Sequence, residues 1–430
     1  MSVDINPARL LRDLADLSAI GGRPDGGVDR VAWSPADLEA RAWLRARLED
    51  FGWHSTADAA LSVFGRASVE HRPRLLIGSH TDSVPAGGRL DGAYGVVAAL
   101  EVVRTLVDSG DPTADHVELA DFADEEGVRF QCGCFGSKAL VGTLEPGQLA
   151  EQQDASGFPA ADILRAAGVK LEQLASASEH LQHIAGYLEL HIEQGPRLER
   201  ERASVGVVPG ILGFDRYLIE IKGVSVHGGT TPLSMRQDPS RAAAEFIAAV
   251  PGIVERIDDA GTATVGTIRT HGGAINFVPG RVTFSLEVRQ SSTNLLSTTV
   301  DAIKRHLAAL CSAYGCDLSI APHDSVIEEK DGVKLAVELA YAAPVAFDQR
   351  LVDGVERACV EAGVAYRRLH AGTWHDAAII APHVPTAMIL VPSRGGVTHS
   401  PAEDTEPDDI VNGARVLLRA TRYAVSALSL

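Results

Sequence analysis

Residues 75–82 read LLIGSHTD and residues 117–126 read VELADFADEE. The first opens as a short apolar run and the second with a strand over Val117 to Phe122, and each ends abruptly in ionisable groups, His80 and Asp82 in the first and Asp124, Glu125 and Glu126 in the second. Between them Val96, Leu100, Val103 and Val107 recur at helical spacing. Strand, helix and strand at this length predict a right-handed βαβ unit, in which polar residues collect at the carboxyl ends of parallel strands. A third run, YLEL at 187–190, leads into His191, and a late strand over 386–391 leads through Gly395-Gly396 to His399. The fold class is therefore α/β with a mainly parallel sheet.

Outward from this core, SPADLEARAWLRARLEDF (34–51) places Leu38, Ala42, Leu44 and Leu48 on one face of a helix between Ser34-Pro35 and Gly52. Residues 211–341 behave differently. They alternate with period two at 217–221, 262–268 and 282–288, with helical stretches at 239–258 and 294–312. This is an α+β insert, expected to form a separate lid domain. The catalytic domain then comprises residues 1–210 and 342–430, its second part opening around Pro344-Val345-Ala346-Phe347.

A chain of 430 residues exceeds what one core usually supports, which agrees with two domains. A net charge of -18 argues against nucleic acid or an anionic membrane surface as partner and leaves a small soluble substrate. Asp4, Arg9, Arg12, Asp13 and Asp16 interrupt any apolar leader. Five cysteines, an odd number, suit reduced thiols in the cytoplasm, and Cys132-Gly133-Cys134 is too short for a zinc knuckle.

Period two turns His80 and Asp82 to the same side, so Asp82 is positioned to hold the imidazole as metal-bound histidines require; taken alone, the triplet reads first as an ordinary hydrogen bond. Asp91-Gly92 falls at the start of the next helix, where the carboxylate serves as an N-cap or, with its second oxygen, bridges two ions. The adjacent Glu125 and Glu126 need a cation or a shared proton if buried, and are an ordinary acidic loop if solvated. If buried, one can ligate while the other stays free as a base. Histidines and carboxylates converging on four strand ends suit zinc or another divalent ion, and a pair of ions about 3.5–4 Å apart binds the attacking oxygen and polarises a carbonyl together.

At GSHTDSV (78–84), LDGAYGV (90–96), DEEGVRF (124–130), LHIEQG (190–195), HGGTTP (227–232), NFVPG (276–280) and GVTHSPAE (396–403), the sequence resembles the amidase/hydantoinase/carbamoylase group of dinuclear metallopeptidase relatives. That group includes N-carbamoyl-L-amino-acid hydrolases, β-ureidopropionase and allantoate amidohydrolase. The resemblance begins at GGVDRVAWSPADLEAR (26–41) and covers nearly the whole chain. It implies a metallopeptidase-like catalytic domain with a lid that also dimerises. One metal is then held by His80, Asp91 and His191, and a second by Asp91, Glu126 and His399. Zinc is the first expectation, with manganese, cobalt and nickel accepted by the same ligands.

The resemblance further implies Glu125 as general base and His227 as an oxyanion donor that reaches the partner of a homodimer; Asp82, the carboxylate set to hold His80, is counted with them among the catalytic residues. Gln194, Asn276 and Arg289 would contact the substrate, with Arg216 a further candidate, and His375 would be a site histidine rather than a ligand. A histidine rather than a carboxylate at 191 favours carbamoylases over peptidases. Trp374 stands where the group has a small residue, and Leu233 where it has methionine, which bears on pocket shape. The expected reaction is hydrolysis of an N-carbamoyl-L-amino acid to the amino acid, carbon dioxide and ammonia. Allantoate or another ureido acid is the alternative, then a dipeptide or acylated amino acid. A non-catalytic dimer that binds amino-acid derivatives would lack the base or a ligand, and all six residues are here.

Overall fold

The computed structural model describes residues 3–430 except 71, 145, 146, 148, 150, 151, 155, 324, 325, 331, 332, 338 and 339, with only the backbone of 326–330 and 333–337. The chain divides into two compact units, residues 1–210 with 346–430, and residues 211–345.

The first unit is built on eight strands: β1 (His54–Ala57), β2 (Val63–Arg66), β3 (Arg74–His80), β4 (Val117–Phe122), β5 (Ile184–Ile192), β6 (Val205–Val208), β7 (Tyr366–Arg368) and β8 (Thr386–Val391). Their order is β1-β2-β4-β3-β5-β8-β6-β7. The β4-β3-β5-β8 centre is parallel, whereas β1 and β2 at one edge and the β8-β6 junction are antiparallel. Every residue of β3, β4 and β8 is buried, so LLIG in β3 and AMILV in β8 are apolar on both faces, while Glu118 and Asp121 of β4 are buried against Arg66 and Arg41. Helix α1 (Pro35–Glu49) starts on Ser34, whose hydroxyl accepts the Asp37 N–H. Helix α2 (Ala93–Asp108) is buried from Ala93 through Leu106, packed between β3 and α3 (Pro407–Ala427). A helix enclosed on all sides tolerates the apolar composition that α2 carries.

Two buried arginines brace the strand ends that bear the ionisable groups. Arg41 lies 3.1 Å from Asp37 and 3.2 Å from Asp121 and donates to the Phe122 carbonyl, while Arg30 donates to the carbonyls of Thr81, Leu17 and Ile20.

In the second unit, strands Gly213–Lys222 and Arg281–Gln290 pair antiparallel, flanked by Asp317–Pro322 and by Ile268–His271. Helices Pro239–Glu255 and Thr293–Ala313 pack on this sheet, where Ile219, Ile221, Phe246, Phe284 and Leu307 form the core. The single strand expected over 262–268 is instead two, Thr262–Thr264 and Ile268–His271. The chain bulges between them because Ser285 Oγ accepts the Thr267 N–H and takes over a ladder bond. Among the described residues no helix is long and apolar enough to cross a membrane, and all five cysteines are free thiols.

Candidate metal centre

His80 ends β3 and is fully buried. Its Nδ1 lies 3.1 Å from the Asp82 carbonyl oxygen and 3.4 Å from the Asp82 carboxylate, so Nδ1 is the donor to Asp82 and Nε2 is the nitrogen turned to the cluster. That Nε2 is buried without a hydrogen-bond partner, 3.9 Å from Asp91 Oδ1 and 3.7 Å from Glu125 Oε2. His191, near the end of β5, repeats the pattern: Nδ1 donates to the Ile192 carbonyl at 3.0 Å, and the bare Nε2 faces Asp91 Oδ1 at 3.1 Å.

Asp91 is not a helix cap, contrary to one of the two readings of its position. The cap position of α2 is Gly92, at φ 62, and no side chain caps the helix. A Cβ at Gly92 would also sit 2.3 Å from the His80 ring. The turn at Gly92 frees the Asp91 carboxylate to point inward, where Oδ1 faces His191 and Oδ2 faces His399 Nε2, each at 3.1 Å. Oδ2 also accepts from Gln194 Nε2 at 2.8 Å and Thr398 Oγ1 at 2.9 Å. His399, held at φ 52 past the Gly395-Gly396 turn, lies 3.4 Å from Glu126 Oε2, and Glu126 Oε1 is buried without a partner.

Two donor sets result, His80, Asp91 and His191, and Asp91, Glu126 and His399, with ligand atoms within 4.8 Å of one another in each. Imidazole nitrogens and carboxylate oxygens converging on one another, with buried oxygen and nitrogen atoms left over, is the arrangement a divalent cation satisfies, and the mixed imidazole and carboxylate chemistry suits zinc or its neighbours. The charges agree. Burial opposes protonation of His80, yet Glu125, Asp82 and Glu126 outweigh it and hold the imidazole well above its usual range. His399, likewise opposed by burial, is lifted to about 9 by Asp91 and Glu126. The cluster demands positive charge, from protons or from ions.

Glu125 is buried beside this centre, and burial, with Glu126, Asp376 and Asp82 adding to it against the pull of His80, pushes its carboxyl well above the usual range. Oε1 lies 3.9 Å from His375 Nδ1 and Oε2 faces His80. The Glu125 and Glu126 backbone N–H groups donate to the two carboxylate oxygens of Asp82. Asp82 thus holds the loop as well as the imidazole. Asp124, at φ 50, turns the chain so that its two neighbours face the cluster. His375 is buried, its charged form disfavoured first by burial and then by His191. Trp374 beside it is half-buried.

Three residues at the centre carried no expectation. Glu403 accepts the N–H groups of Leu90 and Asp91 on one oxygen and the His399 N–H on the other, which lies 3.2 Å from the Thr398 hydroxyl oxygen. Thr373 bridges Gln194 and His375. Thr398 and Glu403 lie inside GVTHSPAE, and the close fit of Gly88, whose added Cβ would meet the Glu403 carboxylate, is the other sequence signal.

The remaining candidates belong to the second unit. Arg216 and Arg289 share the Glu287 carboxylate, with Nε to oxygen distances of 2.7 and 2.6 Å, and both guanidinium groups lie over the Phe214 ring. His227 is exposed, its Nδ1 accepts the Gly229 N–H at 3.0 Å, and Asn276 Nδ2 is 3.4 Å from its Nε2.

The description Peptidase family M20/M25/M40 matches residues 76–423, which include all five donors of the two sets. The chain belongs to this family. Within the M20/M25/M40 family it is 36% identical over 418 residues to the N-carbamoyl-L-amino acid amidohydrolase of Geobacillus stearothermophilus, covering 96% of this chain and 97% of that one. It is 32% identical over 403 residues to the allantoate amidohydrolase of Escherichia coli (strain K12), covering 93% and 94%. Among solved structures, an amidase of the hydantoinase/carbamoylase family from Burkholderia multivorans superimposes with a TM-score of 0.85 at 31% identity over 98% of both chains. The metallopeptidase-like α/β fold and the amidase/hydantoinase/carbamoylase grouping expected from the motifs are borne out, and the chain is a metal-dependent hydrolase of carbon–nitrogen bonds.

Proposed function

We propose that this enzyme hydrolyses the carbamoyl amide of an N-carbamoyl-L-amino acid to the amino acid, carbon dioxide and ammonia. The observation that carries this reading is the pair of donor sets sharing Asp91, with the separately buried carboxyl of Glu125 alongside. His80, Asp91 and His191 would hold one divalent ion and Asp91, Glu126 and His399 a second, zinc suiting both. When bound, such ions polarise a carbonyl and acidify a water molecule.

The residues of the chain do the rest. Glu125, with a carboxyl pushed upward by its surroundings, takes a proton from the attacking water and delivers it to the leaving nitrogen. Asp82 keeps Glu125 and Glu126 in register. The neutral ligand His191, in place of an anionic one, leaves more positive charge for an unreactive ureido carbonyl. Arg289, with Arg216, Asn276 and Gln194, grips the substrate carboxylate through a planar fork. His227, whose Nδ1 accepts a backbone N–H and whose Nε2 therefore offers a donor, stabilises the developing oxyanion.

Residues 211–345 act as the lid and dimerisation domain of a homodimer, and His227 serves the partner's site. Supporting this, Ile268–His271 is an edge strand, and Ile268, Leu233, Met235, Ile275 and Phe277 are exposed apolar side chains of the same unit. Free thiols suit a reducing cytoplasm. Relatives named for allantoate hydrolysis at 31% and 32% identity give the second reading, in which the ureido acid is allantoate. Ammonia release from N-carbamoyl-L-amino acids, N-carbamoyl-β-alanine, allantoate, N-acetylamino acids and dipeptides, with metal restored, tests both. Preference for the last two would overturn the ureido assignment.

A further inference from the structure

Gln194 and Thr373 form a hydrogen-bonded chain whose directions can be worked out from one end. Gln194 Nε2 lies 2.8 Å from Asp91 Oδ2. An ionised carboxylate only accepts, so the amide of Gln194 must present its NH₂ there and its carbonyl oxygen on the other side. That oxygen lies 2.6 Å from Thr373 Oγ1 and has to receive a hydrogen bond. The hydroxyl of Thr373 has one hydrogen, and it is used here. His375 Nε2 lies 2.8 Å from the same hydroxyl oxygen, so the ring must donate to it. A neutral imidazole protonated on Nε2 leaves Nδ1 bare, and Nδ1 is the atom 3.9 Å from Glu125 Oε1.

We propose that Thr373 is a positioning residue that transmits the orientation of Gln194 to His375 and fixes the imidazole in its Nε2–H form, so that an acceptor nitrogen faces Glu125. A positively polarised N–H in that position would face the Glu125 carboxylate across 3.9 Å and lower the basicity of the lone pair that takes up the proton. A bare nitrogen leaves that basicity intact. The residue works through His375 and does not touch the reacting atoms. Its catalytic consequence rests on the role assigned above to Glu125; the direction of the hydrogen bonds does not.

The test uses the zinc-loaded protein with ¹⁵N-labelled histidine and long-range ¹H–¹⁵N correlations, which separate a protonated ring nitrogen from a bare one. His375→Gln identifies the signal. The wild type should show Nε2 protonated, and an Nδ1–H ring would overturn the proposal without reference to any variant. Thr373→Val should lose that preference and lower kcat on the order of tenfold with KM nearly unchanged, a part of the roughly 10²–10⁴ that a positioned proton-transfer group supplies. Thr373→Ser should restore both, and metal content should match wild type throughout. A valine variant with tautomer and kcat both unaltered would overturn the positioning role. If the wild type carries the Nε2–H ring but releases ammonia from no ureido acid, the assigned activity fails while the hydrogen-bond assignment stands.

Discussion

Asp82 accepts the backbone N–H groups of Glu125 and Glu126 on its two carboxylate oxygens, at 3.1 and 3.2 Å, while its carbonyl oxygen holds His80 Nδ1. One residue therefore sets the position of a candidate ligand on β3 and of the candidate base and a second ligand beyond β4. Asp82→Asn keeps the size but turns an NH₂ toward one of the two amides. Metal affinity measured by chelator competition, or kcat where loading is complete, should fall about 10–100-fold, as for other groups that orient ligands. Wild-type values in both would remove Asp82 from the site.

Glu125→Gln should abolish proton transfer and reduce kcat by roughly 10²–10⁴ or more, while elemental analysis still finds two ions per subunit. Metal loss as complete as in Glu126→Ala would mean that the two adjacent glutamates have been given each other's roles.

Metal loading should depend on pH with a definite sign. In the metal-free protein His399 holds its proton up to about 9, because Asp91 and Glu126 outweigh the effect of burial. An ion must displace that proton, so below about pH 9 apparent affinity should rise with pH, by about tenfold per unit for each proton released. Titration calorimetry in buffers of different ionisation enthalpy counts the protons directly. A pH-independent affinity between pH 6 and 8 would exclude His399 as a ligand.

Stability should hinge on Arg41, which is buried between Asp37 and Asp121. Removing one member of a buried ion group strands the others without compensation, so Arg41→Met should destabilise the first unit by about 3–5 kcal/mol. Urea unfolding followed by tryptophan fluorescence reads this, since Trp33, Trp43 and Trp53 lie in or beside the segment it braces. A loss below about 1 kcal/mol would show that the carboxylates are relieved by taking up protons.

The parts of this site that could be read in advance share a physical cause. Strands β3 and β5 are buried almost throughout, so LLIG and YLEL are largely apolar and the histidine that follows each stands out. His80 and His191 were legible for that reason. Asp91 was harder, because its side-chain direction depends on the left-handed turn at Gly92, and a glycine after an acidic residue is as consistent with a cap as with a ligand. Thr373, Thr398 and Glu403 were not legible. Each is a single polar residue in a loop, and what gives it meaning is a partner at least 175 positions away in sequence or an orientation that only the folded chain defines. The bulge between Thr262–Thr264 and Ile268–His271 was missed because a side chain, Ser285 Oγ, replaces a backbone acceptor there.

Subunit exchange is tested by mixing two inactive proteins. His227→Ala alone should keep both ions and lose about a hundredfold or more in kcat, as expected for an oxyanion donor. If His227 serves the partner, mixed dimers of His227→Ala with Glu125→Gln recover activity at one of their two sites. Dimers that form and stay inactive would confine His227 to its own subunit or to a structural role.

Strand β8 lies at the centre of the sheet, between β5 and β6, but is made of residues 386–391. During synthesis on the ribosome, β5 and β6 therefore wait for the strand that joins them. At roughly 5–20 residues per second, the interval between emergence of β5 and of β8 is on the order of 10–40 seconds. For that time each has an open hydrogen-bonding edge of the kind that recruits other chains. A message that ends early in this window yields a polypeptide already carrying four of the five donors, His80, Asp91, Glu126 and His191, with two adhesive edges in place of a closed sheet. Nonsense truncations across 193–385 should thus accumulate as aggregates or chaperone clients rather than as half-loaded enzyme.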